Sequence, residues 1–244
     1  MKHPADHTPL QSPRGFRTTH WSLVVSASAD SREALEELCA VYWPPLFSYV
    51  RRLGYNDAEA EDLTQAFFTR LLDKRLLALA DRDRGRFRTF LLTALRRFVV
   101  NEWKHQTAEK RGGATRHFTL STPGAEQLVA ADVTTNLTPD RLFERNWALV
   151  VLQRALDELE SEQRTAGKGE SYRALVPYLI GDADVPGYDA VAKQLGSTSA
   201  ALRMLVVRNR KRLGELIRCE IRKTVGSDAD VDEEVGQLFR SLQS

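Results

Sequence analysis

Ser199, Arg203, Arg210 and Lys211 fall to one side of a stretch whose other side carries Leu202, Val206 and Leu213 at helical intervals. Cations so spaced on a helix neutralise phosphates, and an arginine near the helix start can pair its fork with the O6 and N7 acceptors of guanine. Ser199, Ala200, Ala201 and Arg203 occupy that start, and Arg203 is the residue best suited to read a base. The segment before them supplies the placement. Val191, Ala192 and Leu195 are spaced as the apolar side of a preceding helix, Gly196 stands where a helix end favours positive φ, and Thr198 is placed to cap the next helix. Tyr188 to Leu213 is therefore predicted to be a helix-turn-helix, and double-stranded DNA is the partner its basic second helix fits. An ordinary surface hairpin with solvated arginines has the same turn pattern.

A second set of chemistry-bearing residues lies between Arg86 and Gln106, where Phe87, Phe90, Phe98 and Trp103 interleave with Arg86, Arg88, Arg96, Arg97 and Lys104. Aromatic faces stack on bases while cations hold the backbone, a combination that binds single-stranded nucleic acid. Aromatics at helical spacing also build cores, and Phe98 is assigned to one. Carboxylates cluster at Asp57, Glu59, Glu61 and Asp62. These start a helix rather than converge on a cleft, which disfavours a metal nuclease. No residue pair suggests catalysis, so the chain is expected not to be an enzyme. Cys39 and Cys219 sit in apolar helical patterns, and the five histidines are scattered, so no metal site and no small-molecule cofactor is assigned.

Charge is segregated more strongly than the formal net +2 suggests. Ten basic residues face three acidic ones between Arg82 and Arg116, and eight face two between Arg203 and Lys223. The last twenty residues reverse the sign, with Asp228, Asp230, Asp232, Glu233 and Glu234 against Arg240. Two separate basic surfaces imply nucleic-acid binding with steep salt dependence. No apolar run approaches the roughly 18 residues of a membrane span, and the first residues lack a signal peptide's apolar core, so a cytoplasmic protein without membrane contact is expected.

The elements that must position these groups are helical throughout. Leu35, Leu38, Cys39 and Tyr42 form an apolar stripe, Pro44 and Pro45 punctuate it, and Leu46, Phe47, Val50 and Leu53 form the next before Gly54. Asn56 with Glu59 reads as a capping box ahead of Ala60, Leu63, Phe67 and Leu71. A further helix from about Arg86 to Lys104 carries Phe90, Leu91, Ala94, Leu95 and Phe98. Leu142, Trp147, Val150, Val151, Ala155, Leu156 and Leu159 begin a second unit, interrupted near Arg164–Glu170 and resumed with Leu175, Val176, Tyr178 and Leu179. The expected fold is all-α, with two small helical domains joined by a flexible linker. The boundaries are an N-terminal disordered arm over 1–18, a helical bundle over 19–111, a linker over 112–140, a second domain over 141–224 with the helix-turn-helix at 188–213, and an acidic C-terminal tail over 225–244.

DAEAEDLTQAFFTRLL (Asp57–Leu72), then RFRTFLLTALRRFVVNEWK (Arg86–Lys104), then a linker and the Tyr188–Leu213 motif, resemble in order and spacing the extracytoplasmic-function group of bacterial sigma factors, within the sigma-70 family. The resemblance spans about residues 20–223. It implies a factor that binds core RNA polymerase and directs promoter-specific initiation of transcription, with the first bundle as region 2 and the second as region 4. The clamp helices of the polymerase largest subunit are then met by Asp57, Glu61, Asp62, Gln65 and Phe68. Minus-ten recognition and strand opening fall to Arg86, Arg88, Phe90, Arg96, Arg97, Asn101 and Lys104. Thr198, Ser199, Ala201, Arg203 and Arg208 inherit the reading of the minus-thirty-five element in the major groove. The implied partners are core RNA polymerase, double-stranded promoter DNA and the melted non-template strand, and an anti-sigma factor is a further partner the resemblance admits. A stand-alone helix-turn-helix regulator is the alternative, but it leaves Asp57–Gln106 without a role.

Several positions depart from the family pattern. Phe90 stands where members commonly have Trp, Arg97 where they have Asn, Asn101 where Asp is frequent, Val207 where His is frequent, and Ser197 where an apolar residue is usual. The residues after Val225 exceed the minimal pattern. They read as a plain disordered tail, or as an acidic screen over the basic Arg203–Lys223 helix.

Overall fold

The computed structural model describes residues 32–72, 86–109, 136–181, 185–223, 225 and 229–243. The expected N-terminal arm and most of the expected linker lie outside the described residues. All regular structure among the described residues is helical, which matches the expected all-α class: α1 (Arg32–Arg52), α2 (Asp57–Leu72), α3 (Phe87–Glu109), α4 (Pro139–Thr165), α5 (Gly169–Ile180), α6 (Tyr188–Gln194), α7 (Ser199–Arg222) and α8 (Ala229–Leu242). No described helix is long and apolar enough to cross a membrane.

The punctuation expected at Pro44 and Pro45 does not occur, for α1 runs unbroken through both prolines. Each removes one helical hydrogen bond, but Val41, Tyr42, Trp43 and Leu46 around them are all buried. Burying such side chains stabilises by about 1.5–3 kcal/mol each, which outweighs the lost bonds. The capping box forms as read: the Asn56 amide donates to Glu59 Oε2 and the Glu59 amide to Asn56 Oδ1, both at 3.0 Å. It fixes where α2 begins, and Leu63, Phe67 and Leu71 then face inward. In α3 the inward side is Phe87, Leu91, Leu95 and Phe98.

Helix α4 organises the rest. Thr138 caps it, accepting from the Arg141 amide, with Pro139 in its first turn, where a missing N–H costs nothing. Its buried stripe Phe143, Trp147, Val151, Ala155 and Leu159 packs against α1, α5, α7 and α8. The two helical units therefore lie side by side along α1 and α4, and their apolar interiors are continuous. Arg154 reinforces the seam, pairing with Glu37 of α1 and, at 3.4 Å, with Glu220 of α7.

The C-terminal residues contradict the disordered-tail expectation. Residues 229–242 form α8, which docks on α4 and α7. Val231 and Leu238 are buried, Val235 and Leu242 are half-buried, and their i, i+4, i+7, i+11 spacing is one helical face. The acids between them hid that face in a composition-based reading.

Candidate nucleic-acid interface

The motif at 188–213 has the geometry its residues imply. Helix α6 ends at Gln194, Gly196 takes φ +60°, and the Ser197 amide donates to the Ala192 carbonyl at 2.9 Å, closing a Schellman-type turn. Thr198 then caps α7, its hydroxyl accepting from the Ala201 amide at 3.2 Å. Leu202, Val206, Asn209, Leu213 and Ile217 form the buried side of α7. The opposite side is a continuous exposed stripe, Ala200, Arg203, Met204, Val207, Arg208 and Lys211, at i, i+3, i+4, i+7, i+8 and i+11.

Partners separate the cations of this helix. Arg203 lies with its guanidinium 5.4 Å from the Tyr188 ring centre, which holds the side chain over α6. Arg210 is committed to the Tyr178 carbonyl at 2.6 Å. Arg212 bridges Glu162 at 2.7 Å and Glu215 at 2.8 Å, and these bonds hold its guanidinium protonated still more firmly than usual. Among the described residues, Arg208 and Lys211 carry no ion pair. Of the expected readers, Thr198, Ala201, Arg203 and Arg208 are exposed, while Ser199 is half-buried and donates its hydroxyl to Asp189. Met204 and Val207 were not among the expected residues, although their place on the same stripe was legible from the period.

On α2, Asp57 is exposed but paired with Arg51 at 2.6 Å, and Glu61, Asp62 and Gln65 are half-buried. Phe68 does not belong to that outer face. It is buried and stacked on Trp43, with ring centres 5.5 Å apart and planes 18° from parallel, so it supports the helix instead of meeting a partner.

The α3 cations divide sharply. Arg88, expected to touch DNA, is buried, its guanidinium 4.3 Å from the Trp147 ring centre and paired with Glu144 and Glu234. Burial pushes the Glu144 carboxyl up, and Arg88 opposes that. Tyr42 shares this interior, and burial drives its phenol far above the usual range. Arg86 is tied to Glu233 at 2.6 Å and also to Glu234. Arg96 pairs with Asp140 and donates to the Tyr49 hydroxyl at 3.2 Å, and both bonds strengthen its hold on the proton. Phe90 is half-buried against Phe87, ring centres 6.0 Å apart. Arg97, Asn101 and Lys104 are exposed. Beside them Leu53, Tyr55, Val99, Val100 and Trp103 line an open cleft of about 460 Å³, with Trp103 58% exposed. Trp103 was counted among the aromatics of this segment but not among its site residues.

Residues 38–109 match the family model for sigma-70 region 2. The matched span runs from Leu38 in α1 to the end of α3, and so covers both the Asp57 face and the exposed Arg97–Lys104 edge. It supports membership of the sigma-70 family and a sigma factor's role in promoter recognition. Core RNA polymerase and promoter DNA are the partners that region 2 implies. No curated protein and no solved structure gives a match to the chain.

Proposed function

We propose that this chain is a sigma factor of the extracytoplasmic-function type, in which region 2 opens the minus-ten element and α6–α7 act as region 4 on the minus-thirty-five element. The carrying observation is the exposed α7 stripe, a row of cations and apolar side chains opposite a buried face, in a chain that also holds region 2. On this reading Arg203 pairs with a base edge, Arg208 and Lys211 bind phosphates, and Met204 and Val207 lie against thymine methyls, the only apolar groups a major groove displays. In region 2, Asp57, Glu61, Asp62 and Gln65 form the polar face for the polymerase clamp helices, with Phe68 packed beneath. Arg97, Asn101 and Lys104 form the edge open to the minus-ten strand, and Trp103 offers an exposed ring on which a base can stack.

Selection of genomic fragments by the chain reconstituted with core polymerase tests this. The expected outcome is two shared sequence blocks about 25 base pairs apart, roughly 85 Å at 3.4 Å per step. One block, recovered equally without polymerase, would instead establish a stand-alone regulator.

A further inference from the structure

The C-terminal helix occupies two cations, Arg86 and Arg88, that the family resemblance assigns to the minus-ten strand. Glu233 pairs with Arg86 at 2.6 Å, and Glu234, 1% exposed, pairs with Arg86 and, at 3.0 Å, with Arg88. Two residues earlier in the chain, Asp232 pairs with Arg218 of α7. One turn of α8 therefore holds α3 of region 2 and the DNA-binding helix of the other half at once, while its apolar side lies on α4. A carboxylate takes the same positions around a guanidinium fork as a phosphate does. Bound α8 and a bound phosphate are thus mutually exclusive on Arg86, which keeps 30% of its side chain exposed, whereas Arg88 is buried and held by Glu144 as well.

Geometry adds a second constraint. A compact chain of this length has a radius of gyration of about 18 Å, whereas two promoter elements some 25 base pairs apart are separated by roughly 85 Å. Helices α1 to α3 and α4 to α7 share one interior, so this arrangement must open before α3 and α7 engage both elements. Helix α8 packs on α4 and α7 and reaches the first unit through the Glu233 and Glu234 ion pairs. Among its described residues Val231, Glu234, Leu238 and Ser241 are buried, whereas Asp232 and Glu233 keep side-chain exposures of 76% and 67%. Release of such an element is far easier than unfolding of the core beneath.

We propose that α8 is an autoinhibitory latch, whose Asp232, Glu233 and Glu234 stand in for DNA phosphates and keep the free protein closed until polymerase and promoter compete it away. The proposal rests on the sigma-factor reading above. It differs from an acidic screen over the recognition helix, since Arg203, Arg208 and Lys211 carry no ion pair to α8 among the described residues.

The test compares the full chain with a variant ending at Val225 and with Asp232→Asn/Glu233→Gln, whose exposed positions leave the fold intact. Affinity for a fluorescent single-stranded minus-ten oligonucleotide is measured by anisotropy without polymerase. Glu170→Gln/Asp157→Asn, both exposed and outside the α8 ion pairs, controls for net charge. The expected result is binding about tenfold tighter for the shortened chain and about fivefold tighter for Asp232→Asn/Glu233→Gln, with less than a twofold change in the control; tenfold corresponds to 1.4 kcal/mol. Unchanged affinity in Asp232→Asn/Glu233→Gln, or an equal gain in the control, overturns the latch even if the shortened chain fails to fold. Each protein is also assayed for promoter-dependent transcription with core polymerase. Absence of transcription from all of them refutes the sigma-factor reading, whereas transcription with equal oligonucleotide affinities refutes the latch alone.

Discussion

Replacing Glu234 by Ala should destabilise the protein severely, while the same change at its neighbour Glu233 should not. The Glu234 side chain is 1% exposed and faces Arg88, itself 3% exposed, so its loss leaves a buried guanidinium short of a counter-charge. Removing one partner of a buried pair costs about 3–5 kcal/mol when no other partner remains. Here Glu144 still pairs with Arg88, and Arg86 keeps 30% of its side chain in water, so the cost falls to about 2–3 kcal/mol. Glu233 is two-thirds exposed, and such pairs contribute about 0–1 kcal/mol. Urea unfolding followed by far-ultraviolet circular dichroism reads both variants, with the slope confirming that the same surface is exposed. Values within about 0.5 kcal/mol of each other would mean that α8 is not docked through Glu234. The reasoning about the buried Arg88 cluster would then fail.

Phe68→Ala should cost about 3–5 kcal/mol of stability because the ring is buried against Trp43. Asp57→Ala should cost at most about 1 kcal/mol yet weaken core-polymerase binding, and pull-down with the folded variant checks the separation. Replacing a contacted thymine of the upstream element by uracil, which lacks one methyl, should weaken holoenzyme binding about two- to fourfold, from about 0.8 kcal/mol per buried carbon. The penalty should vanish in Val207→Ala or Met204→Ala, whichever side chain covers that methyl; a penalty unchanged in both variants at every thymine refutes their role. Burial, with Glu36 adding to it, pushes the Cys39 thiol up from 9.0 to about 11. In a Cys219→Ser background at pH 8, it should react with a disulfide probe about tenfold more slowly than an unshifted thiol, because its scarcer thiolate is only partly offset by greater nucleophilicity. Cys39 stays protonated to higher pH in the folded state, so its contribution to stability is complete below about pH 9 and is lost as the pH rises towards 11. A reactivity midpoint near the ordinary thiol value would contradict this.

What the chain revealed in advance was what neighbouring residues determine. The Asn56–Glu59 box, the Gly196 turn and the Thr198 cap depend on residues within a few positions of one another, and each forms. The inward stripe of α7 likewise follows from period alone. The fate of Arg88 was not legible, because its partners lie 56 and 146 residues away and one of them is on a helix that the acidic composition concealed. Phe68 shows the same limit: its spacing fits either side of α2, and only the position of Trp43 decides. The α1 prolines looked like breaks because local rules omit the burial that offsets them.

Promoter-dependent transcription by core RNA polymerase, with and without the purified chain, bears directly on the proposed function. The expected result is a discrete start site that appears only when the chain is present and is lost when Arg97 and Lys104 of region 2 are replaced by Ala in a folded variant. Equal transcription with and without the chain at every promoter tried, despite stable association with core polymerase, would contradict it.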